Sequence, residues 1–303
     1  MIIRRSTAHV RPGLLDEFRA FIEAGTVGFA ALDGFVSDEI VVGPDTLTYV
    51  SRWRDAAALA AYAGPRWRTE PVVLEDEDQF LVEPLVVRHV ELRRAVPEDA
   101  PVIADVWHAA WGDGHRGLVP AALEAARTRD SFGPRAAARV PGTTVAVVDD
   151  PALDDPALDN PVLDGSAVDS PAADGPAVEG PAVDGPAVEG GAADRPAVDG
   201  MAELAESRIV GFVTVRGEEL EQLFVAATHR GSGIAADLLS AGEARIAAAG
   251  HPEAWLAVVA GNTRARRFYE RAGWSDGGPL DYQAETPEGP VPVSTRRYLR
   301  RLR

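Results

Sequence analysis

Two periods of apolar residues divide the first ninety positions into six segments. Four segments alternate between apolar and polar residues at every second position, as half-buried strands do. Two others repeat apolar residues every three or four positions, as amphipathic helices do. The predicted strands are 2–10, 36–42, 47–53 and 80–89, and the predicted helices are 14–22 and 56–62.

The predicted elements follow the order β-α-β-β-α-β, which is that of a ferredoxin-like domain. Within that order, Pro12-Gly13 precedes the first helix, Gly34-Phe35 opens the second strand and Trp53 ends the third. In these features residues 1–88 resemble the antibiotic-biosynthesis monooxygenase family of dimeric α+β barrels. The resemblance implies this fold and a homodimer through the N-terminal domain. It leaves the chemistry open, because the family includes oxygenases, haem-binding proteins and domains without known chemistry.

Three side chains of this N-terminal domain are candidates for lining a pocket, namely His9, Trp53 and Trp67. Large aromatic residues more often pack a core, and packing is the interpretation we favour for them. No arrangement of residues in 1–90 points to a particular reaction.

A second series of predicted elements begins after residue 90. Residues 91–94 predict a strand, and a helix follows for which Asp99 is the expected N-cap. Four apolar residues share one face of that helix, namely Ile103, Val106, Trp107 and Ala110. Residues 143–148 and 208–215 are rich in β-branched residues and predict two strands that pair as a hairpin.

Ten five-residue repeats, such as Pro181-Ala-Val-Asp-Gly, occupy residues 151–200 between those two strands. Regular breakers interrupt helix and strand hydrogen bonding, and single small apolar residues bury too little surface to offset the entropy of ordering. The repeat is therefore predicted to be disordered, since the prolines disfavour the alternative, a β-solenoid. A hairpin tolerates the insertion, because lengthening a loop from about 5 to about 50 residues costs about 2 kcal/mol.

The net charge of -17 comes mainly from this repeat, which holds 11 acidic residues and one arginine, so that the rest of the chain carries only -7. No basic patch supports nucleic-acid binding. Neither a signal peptide nor an apolar stretch of about 18 residues is present, and we expect a cytoplasmic protein that does not bind membranes.

The chain contains neither cysteine nor lysine. Disulfides, thiolate metal ligands and an acyl-cysteine intermediate are therefore excluded. No group of His, Asp and Glu residues has metal-ligand spacing, and we expect no metal.

The sequence from residue 219 predicts a strand, a glycine-rich turn and a helix. The turn reads Arg230-Gly-Ser-Gly-Ile-Ala235. Gly231 and Gly233 let the backbone approach a ligand closely at the helix N-terminus, where unpaired N–H groups and the helix dipole favour a phosphate. A pyrophosphate site is the function that this pattern favours, and a plain turn is the alternative. The predicted buried side of the helix consists of Ala235, Leu238, Leu239, Gly242 and Ile246.

A second motif follows a predicted strand at 254–259. It reads Asn262-x-x-Ala265-x-x-Phe268-Tyr269-x-x-x-Gly273-Trp274. Together with Arg230-x-x-Gly233-x-Ala235 it resembles the signature motifs of the GNAT superfamily of N-acetyltransferases. The segments Trp107-His-Ala-Ala-Trp111 and Gly117-Leu-Val-Pro120 look like the substrate-side helix and loop of a bacterial branch of that superfamily. The resemblance covers 91–303 apart from the repeat.

The resemblance implies a mixed-sheet domain that uses acetyl-CoA as co-substrate, and it assigns a role to each motif residue. The residues that would hold the CoA pyrophosphate are Arg230, Gly231, Ser232, Gly233, Ile234 and Ala235. The residues that would pair with the pantetheine amides are Leu223, Phe224 and Val225. Asn262 would hydrogen-bond the pantetheine arm, and Phe268 is a further cofactor-binding candidate. Tyr269 would protonate the departing thiolate.

Attack by an amine requires a base, because a lysine-like amine has a pKa of about 10.4. Glu219 and Glu221 precede the cofactor-binding end of the strand, and simple alternation places them on the face of Leu223 and Val225. Either is a candidate base, and a solvated glutamate at a strand start is the alternative. The candidates for binding the acceptor are Trp111 and His115, and His115 in its variable loop is also a third candidate base.

The sequence thus predicts an α+β protein with a ferredoxin-like domain at 1–88 and a GNAT acetyltransferase domain at 91–303. The expected reaction is direct transfer of acetyl from acetyl-CoA to a primary amine, on a small molecule or a peptide, in a ternary complex. One alternative is a non-catalytic domain that binds CoA. The other is a bifunctional protein whose N-terminal domain is a cofactor-independent monooxygenase.

Overall fold

The computed structural model describes residues 1–148, 168–169 and 208–302. The N-terminal elements are β1 (Ile2–His9), α1 (Leu15–Gly25), β2 (Phe35–Val42), β3 (Thr46–Trp53), α2 (Ala56–Ala63) and β4 (Val86–Arg94). Their order is the predicted β-α-β-β-α-β, so the ferredoxin-like prediction is confirmed. The last strand begins at Val86 and not at residue 80, because Phe80 ends a 3-10 turn and packs its ring against Phe18 of α1.

The second half of the chain supplies the remaining helices and strands. Its elements are α3 (Ala100–His115), α4 (Ala121–Ala126), α5 (Arg129–Arg139), β5 (Thr143–Val148), β6 (Val168–Asp169), β7 (Arg208–Arg216), β8 (Glu219–Val225), α6 (Ile234–Ala248), β9 (Glu253–Val259), α7 (Thr263–Arg271), β10 (Ser275–Ala284) and β11 (Val291–Arg301). β5 and β7 pair antiparallel, which confirms the predicted hairpin around the repeat. Apart from β6, the repeat 151–200 lies outside the described residues, and so does the prediction that it is disordered.

The described strands form one mixed sheet in the order β10-β11-β9-β8-β7-β5-β4-β1-β3-β2, with β6 paired to β8 off that path. β4 joins the two halves, since its first residues pair with β1 and its last residues pair with β5. Residues 80–89 and 91–94 were predicted to be two strands, and the structure has one strand across this point instead. The division into domains at 1–88 and 91–303 therefore falls inside β4 and stays a prediction.

Helices α1 and α2 cover one face of the N-terminal strands. Trp53 and Trp67 are buried there beside Leu59 of α2, which confirms that they are packing residues. His9 is 41% exposed at the end of β1. The packing of these strands on this side therefore resembles that of any sheet covered by helices.

The opposite face of the N-terminal strands is covered by α6 from the second half of the chain. Ile3 on β1 and Val50 on β3 are 0% and 3% exposed and belong to the same apolar cluster as Ile234 at the start of α6. Ion pairs from β1 and β3 to Asp237 of α6 fix the helix against this face. The N-terminal sheet is thus sandwiched between its own helices and a helix from the second half of the chain.

Helix α6 also packs closely on the strands of the second half. The five side chains predicted on its buried side are all buried, which confirms that assignment. Gly242 permits the close approach, because a Cβ there would meet Leu220 at 3.0 Å and Val213 at 3.1 Å. Among the described residues no helix has the length and apolarity needed to cross a membrane.

Asp99 precedes α3 as predicted, but it does not cap that helix. Its carboxylate accepts hydrogen bonds from the Val96 N–H at 2.8 Å and from the Arg93 guanidinium at 2.6 and 2.9 Å. The Arg93 contacts, with the Val96 hydrogen bond, hold the pKa of Asp99 below its ordinary value. Asp99 thus occupies the predicted N-cap position, but its side chain bonds Val96 and Arg93 and not the N–H groups of α3.

Replacement of Ile3 by alanine tests whether the sheet and α6 form one core. Ile3 is 0% exposed between β3, β4 and α6, so we expect a loss of about 2–4 kcal/mol in the free energy of unfolding. Val36→Ala, at a site 55% exposed, is the control and should change stability by no more than about 0.5 kcal/mol. Urea denaturation measures both, and equal small effects would contradict the shared core.

Candidate functional site

A glycine-rich turn connects β8 to the N-terminus of α6. Gly231 and Gly233 have φ values of 80° and 84°, the left-handed region that favours glycine. The Ser232 hydroxyl donates to the His229 carbonyl at 2.7 Å and fixes the turn. In the described part of the chain, the backbone N–H groups of residues 231–233 have no hydrogen-bond acceptor. Together with the unpaired N–H groups of the first helical turn, they form a site suited to a phosphate.

The side chain of Arg230 reaches away from this turn to α3. Its Nη2 donates to Asp113 Oδ2 at 2.6 Å, while its Nε is buried without a partner. The pair connects the turn to the helix predicted to carry acceptor-binding residues. The backbone N–H of Arg230 donates to the Ala227 carbonyl at 3.3 Å, and its role in holding the pyrophosphate stays a prediction.

The strands β8 and β9 separate beside the turn. They pair in parallel at one position, Glu219 opposite Trp255, and diverge beyond it. Farther along β8, Gln222 and Leu223 instead pair with the short strand β6. The edge of β8 at the residues predicted to hold pantetheine thus hydrogen-bonds an extended segment in this structure.

A β-bulge interrupts β8 at Glu221. Gln222 lies opposite Thr214 and Leu220 lies opposite Val215, so Glu221 is the extra residue. The bulge reverses the alternation of side chains between the two ends of the strand. Leu223 and Val225 therefore pack in the cluster of α6, as Leu220 does.

The two glutamates lie on the other face, towards α5. Glu221 accepts hydrogen bonds from Nη2 and Nε of Arg139 at 2.9 and 3.2 Å. The prediction that Glu219 and Glu221 share a face with Leu223 and Val225 is wrong, and the bulge is the physical reason. Simple alternation holds only in a strand without an inserted residue.

The two candidate bases are both buried, but they differ in their hydrogen-bond partners. Glu221 is 3% exposed and forms an ion pair with Arg139. Glu219 is 9% exposed, and its Oε1 is buried without a partner. Burial, reinforced by the nearby charge of Glu221, raises the pKa of Glu219 to about 7. A carboxyl group that titrates near neutral pH is suited to accept and release a proton, so Glu219 is the better candidate.

The second motif lies on α7, and its aromatic residues belong to the apolar cluster that also contains the buried side of α6. Tyr269 is 1% exposed and packs against the rings of Trp274 and Tyr298, with centroids 5.7 and 6.1 Å away. Phe268 belongs to the same cluster. Asn262 caps the helix, since its side-chain oxygen accepts from the Ala265 N–H at 3.1 Å. Only its amide N–H groups are then left to donate to a ligand.

Part of the sequence matches the model of a known protein family. Residues 190–274 match the model of the acetyltransferase (GNAT) family. The match spans both motifs, and the GNAT resemblance is confirmed for this part of the chain. A search of curated proteins finds no match.

Solved structures similar to parts of the chain include acetyltransferases and a monooxygenase fold. YjaB from Escherichia coli has 16% identity over 69% of this chain and 97% of that chain, with a TM-score of 0.38. The putative acetyltransferase yncA from Salmonella typhimurium, solved with its cofactor acetyl-CoA, has 14% identity over 71% and 94%, with a TM-score of 0.39. A putative antibiotic biosynthesis monooxygenase from Nitrosomonas europaea has 14% identity over 29% and 95%, with a TM-score of 0.24.

On the face of the sheet opposite to α6, Trp111 and His115 of α3 form a stacked pair. Their ring centroids are 4.6 Å apart and their planes differ by 6°. His115 Nδ1–H donates to the Trp111 carbonyl at 2.9 Å, and burial lowers the pKa of His115 to about 4. His115 was expected in a loop, but it ends α3 and is 1% exposed. The pair thus presents a neutral imidazole and an indole.

Gln222 is a residue of the GNAT region that sequence reasoning missed. It is 1% exposed, and neither polar atom of its side-chain amide has a hydrogen-bond partner. It shares a face with Phe224, whose ring lies 6.1 Å from that of Trp107. The indole N–H of Trp107 is also buried without a partner. Unsatisfied polar groups of this kind are typical of a ligand site, and a polar residue inside an apolar strand was the available signal.

The structure sorts the predicted site residues onto two faces of the sheet. Leu223, Val225, Ile234, Ala235 and Tyr269 share the cluster beneath α6 and α7. Trp111 and Phe224 share the cluster beneath α3, and Glu219 points towards the same side. In the described ranges no group of three or more His, Asp or Glu side chains is arranged to hold a metal ion.

The N-terminal half contains a pocket, open to solvent, on its helix-covered face. Its lining includes Arg4, Tyr49, Tyr62 and Glu77. Trp53, Trp67 and His9, the residues considered for a pocket, do not line it. Arg4 is already engaged, because its guanidinium donates to the Trp67 carbonyl at 2.6 Å and to His89 Nε2 at 3.1 Å.

Replacement of Glu219 by glutamine tests the raised pKa. Because the folded-state pKa of about 7 exceeds the ordinary 4.5, the folded protein holds an extra proton between these values and loses stability as the pH rises through them. Glu219→Gln removes that loss, so above pH 7 we expect the variant to exceed wild type by up to about 3 kcal/mol. Below about pH 4.5 the difference should vanish.

Urea denaturation at acid and alkaline pH measures this difference. Glu221→Gln is the matched control, since it leaves Arg139 without its partner and should destabilise the fold by about 3 kcal/mol. A pH-independent difference between Glu219→Gln and wild type would show that Glu219 titrates normally.

Proposed function

We propose that the protein transfers an acetyl group from acetyl-CoA to a primary amine, in a ternary complex and without a covalent enzyme intermediate. The observation that carries the proposal is the turn 230–235, a phosphate site at a helix N-terminus inside the region that matches the GNAT family. The separation of β8 and β9 beside it frees the edge of β8 from β9, and the short strand β6, which pairs there with Gln222 and Leu223, would give way to the pantetheine arm.

The residues present fit CoA. The backbone N–H groups of the turn suit a pyrophosphate, and the φ of 84° at Gly233 favours glycine, whose missing side chain lets a ligand approach the backbone. Leu223, Phe224 and Val225 offer a strand edge to the pantetheine amides, in the manner of an added strand. The amide of Asn262 is a further donor to the arm. When bound, the thioester supplies the activated acetyl group.

Glu219 and Tyr269 are proposed to move the protons of the reaction. Glu219, ionised above pH 7, takes a proton from the ammonium group so that the neutral nitrogen attacks the thioester carbonyl carbon. The nitrogen loses its second proton to solvent as the carbon–sulfur bond breaks, Tyr269 gives its proton to the departing thiolate, and solvent reprotonates Tyr269. The chain has no cysteine to form an acyl-thioester intermediate, which supports direct transfer.

The acceptor is proposed to be a small-molecule or peptide amine that lies between α3 and β8. Glu219 attracts the ammonium group, and the Trp111–His115 pair provides a flat wall. Gln222 and Trp107 offer buried hydrogen-bonding groups without protein partners. This set favours an amine that carries a neutral polar group.

Assembly and location are proposals that rest on the sequence. A homodimer through the N-terminal domain would have to form with α6 already lying against the face opposite α1 and α2. The open edge of β2, at the end of the sheet order, is the surface left for a partner strand. A cytoplasmic location likewise stays a prediction.

Release of free CoA in the presence of acetyl-CoA and a panel of amines tests the reaction. We expect release above background for at least one amine, and a Tyr269→Phe variant that still binds CoA but turns over at least about 10²-fold more slowly. Tyr298→Phe is the matched control, because its hydroxyl bonds Glu270 at 2.8 Å and plays no part in the proposed transfer.

Three outcomes would contradict parts of the proposal. Binding of CoA without release for any amine would favour the alternative of a non-catalytic CoA-binding domain. Equal turnover of Tyr269→Phe and wild type would remove Tyr269 from the mechanism. Oxygen uptake in place of acetyl transfer would favour the monooxygenase alternative.

The pH dependence of kcat/KM for the amine tests Glu219 as the base. Because Glu219 must be ionised, we expect kcat/KM to rise about tenfold per pH unit below pH 7 and to bend at the pKa of about 7. Glu219→Gln should remove this bend and lower kcat/KM by about 10²-fold. A bend that persists in Glu219→Gln would assign the titration to another group.

A further inference from the structure

Asp237 lies in the first turn of α6, immediately after the phosphate-binding turn. Its backbone N–H donates to the Gly233 carbonyl at 3.1 Å, so the residue is part of the structure that follows Gly233. Its side chain is 1% exposed. A buried carboxylate at this position must have charged partners, since an unpaired buried charge is strongly unfavourable.

Both partners of Asp237 come from the N-terminal half of the chain. Arg5 of β1 donates through Nη2 to Asp237 Oδ2. Arg52 of β3 donates to Asp237 Oδ1 through Nη2 at 2.8 Å and through Nε at 3.2 Å. Arg52 is itself held by Glu39 Oε1, 2.5 Å from Nη2. Two neighbouring strands of the first half, β1 and β3, thus hold the first turn of α6 through ion pairs.

Arg5 also touches the phosphate-binding turn directly. Its Nη2 lies 3.0 Å from the position that a Cβ on Gly233 would occupy. The guanidinium is 15% exposed, and its Nη1 is buried without a partner. The shape of the turn at Gly233 is therefore set on one side by a residue of β1.

The charges explain why this arrangement matters for a phosphate ligand. A carboxylate one turn into α6 would repel a pyrophosphate bound at the same helix end. Two guanidinium groups over Asp237 balance its charge and that of Glu39, so that no net negative charge is left at this helix end. Arg5 and Arg52 therefore make the turn compatible with an anion, in addition to fixing its position.

We propose that Arg5 and Arg52 are positioning residues of the CoA site, which hold Asp237, and through it the turn 230–235, in the form that binds the pyrophosphate. The inference rests on the proposed function and extends it. The N-terminal half of the chain then contributes residues that the cofactor site requires, and it is not independent of the region that matches the GNAT family.

Isothermal titration of the full chain with CoA and with pantetheine tests the inference. The variants are Asp237→Asn, Arg5→Met, Arg52→Met and the conservative Arg5→Lys. Arg54→Met is the matched control, since Arg54 lies next to β3 but pairs only with Asp33 and Asp55 of the first half. Pantetheine lacks the phosphates and reports on the rest of the site.

For Asp237→Asn, Arg5→Met and Arg52→Met we expect the Kd for CoA to rise at least tenfold, with no change for pantetheine. Arg5→Lys should recover part of the affinity, and Arg54→Met should bind as wild type does. At saturating acetyl-CoA, kcat and the KM of the amine should stay within twofold of wild type. Amide hydrogen exchange of residues 230–237 without ligand should be faster in Asp237→Asn.

The sign of the Asp237→Asn effect separates positioning from simple charge. If Asp237 only repelled the phosphates, its removal would tighten CoA binding, and that result would overturn the inference. Unchanged CoA affinity in the variants, with or without a lower melting temperature, would overturn it as well and leave the proposed function intact. Failure of wild type to bind CoA would overturn both.

Discussion

The packing of α6 on a continuous sheet is the constraint on which the rest of the structure depends. One side of this helix contacts strands from both halves of the chain, and its N-terminus carries the glycine-rich turn. Gly242 brings its middle close to Leu220 and Val213, while Asp237 ties its start to Arg5 and Arg52. The turn therefore occupies a place fixed by a sheet, and a site held by regular elements keeps its geometry better than one held by loops.

The bulge at Glu221 has a comparable influence on the chemistry. Without it, Glu219, Leu223 and Val225 would lie on one face, beneath α6. With it, the glutamates turn towards α5 and the apolar pair turns towards α6. The same inserted residue allows Arg139 to pair with Glu221 and leaves Glu219 buried with a raised pKa. One extra residue in the strand thus places the two glutamates on the face opposite to Leu223 and Val225.

Local patterns accounted for most elements, whereas pairing between distant segments did not follow from them. The period of apolar residues predicted α1 and α6, and runs of β-branched residues predicted β5 and β7, because each of these elements depends on neighbours in sequence. It did not reveal that β4 crosses the predicted boundary, since a strand is continuous only if both of its neighbours extend along it. His115 and Asp99 were misplaced for a similar reason, as their partners are set by helix ends and by an arginine on another element. Gln222 was missed because its burial depends on the bulge.

A shared strand also affects how this protein can be divided or recombined. β4 gives its first residues to β1 and its last residues to β5, so a cut near residue 90 would leave two unpaired strand edges. The same cut would uncover Ile3 and Ile234, which are 0% and 1% exposed. The two halves are consequently not interchangeable modules, and a substitution on β1 or β3 has to be compatible with a helix that begins more than 180 residues later in the chain. Sequence change in one half is thereby restricted by the other, and this link between them is one of shape and charge along a common surface.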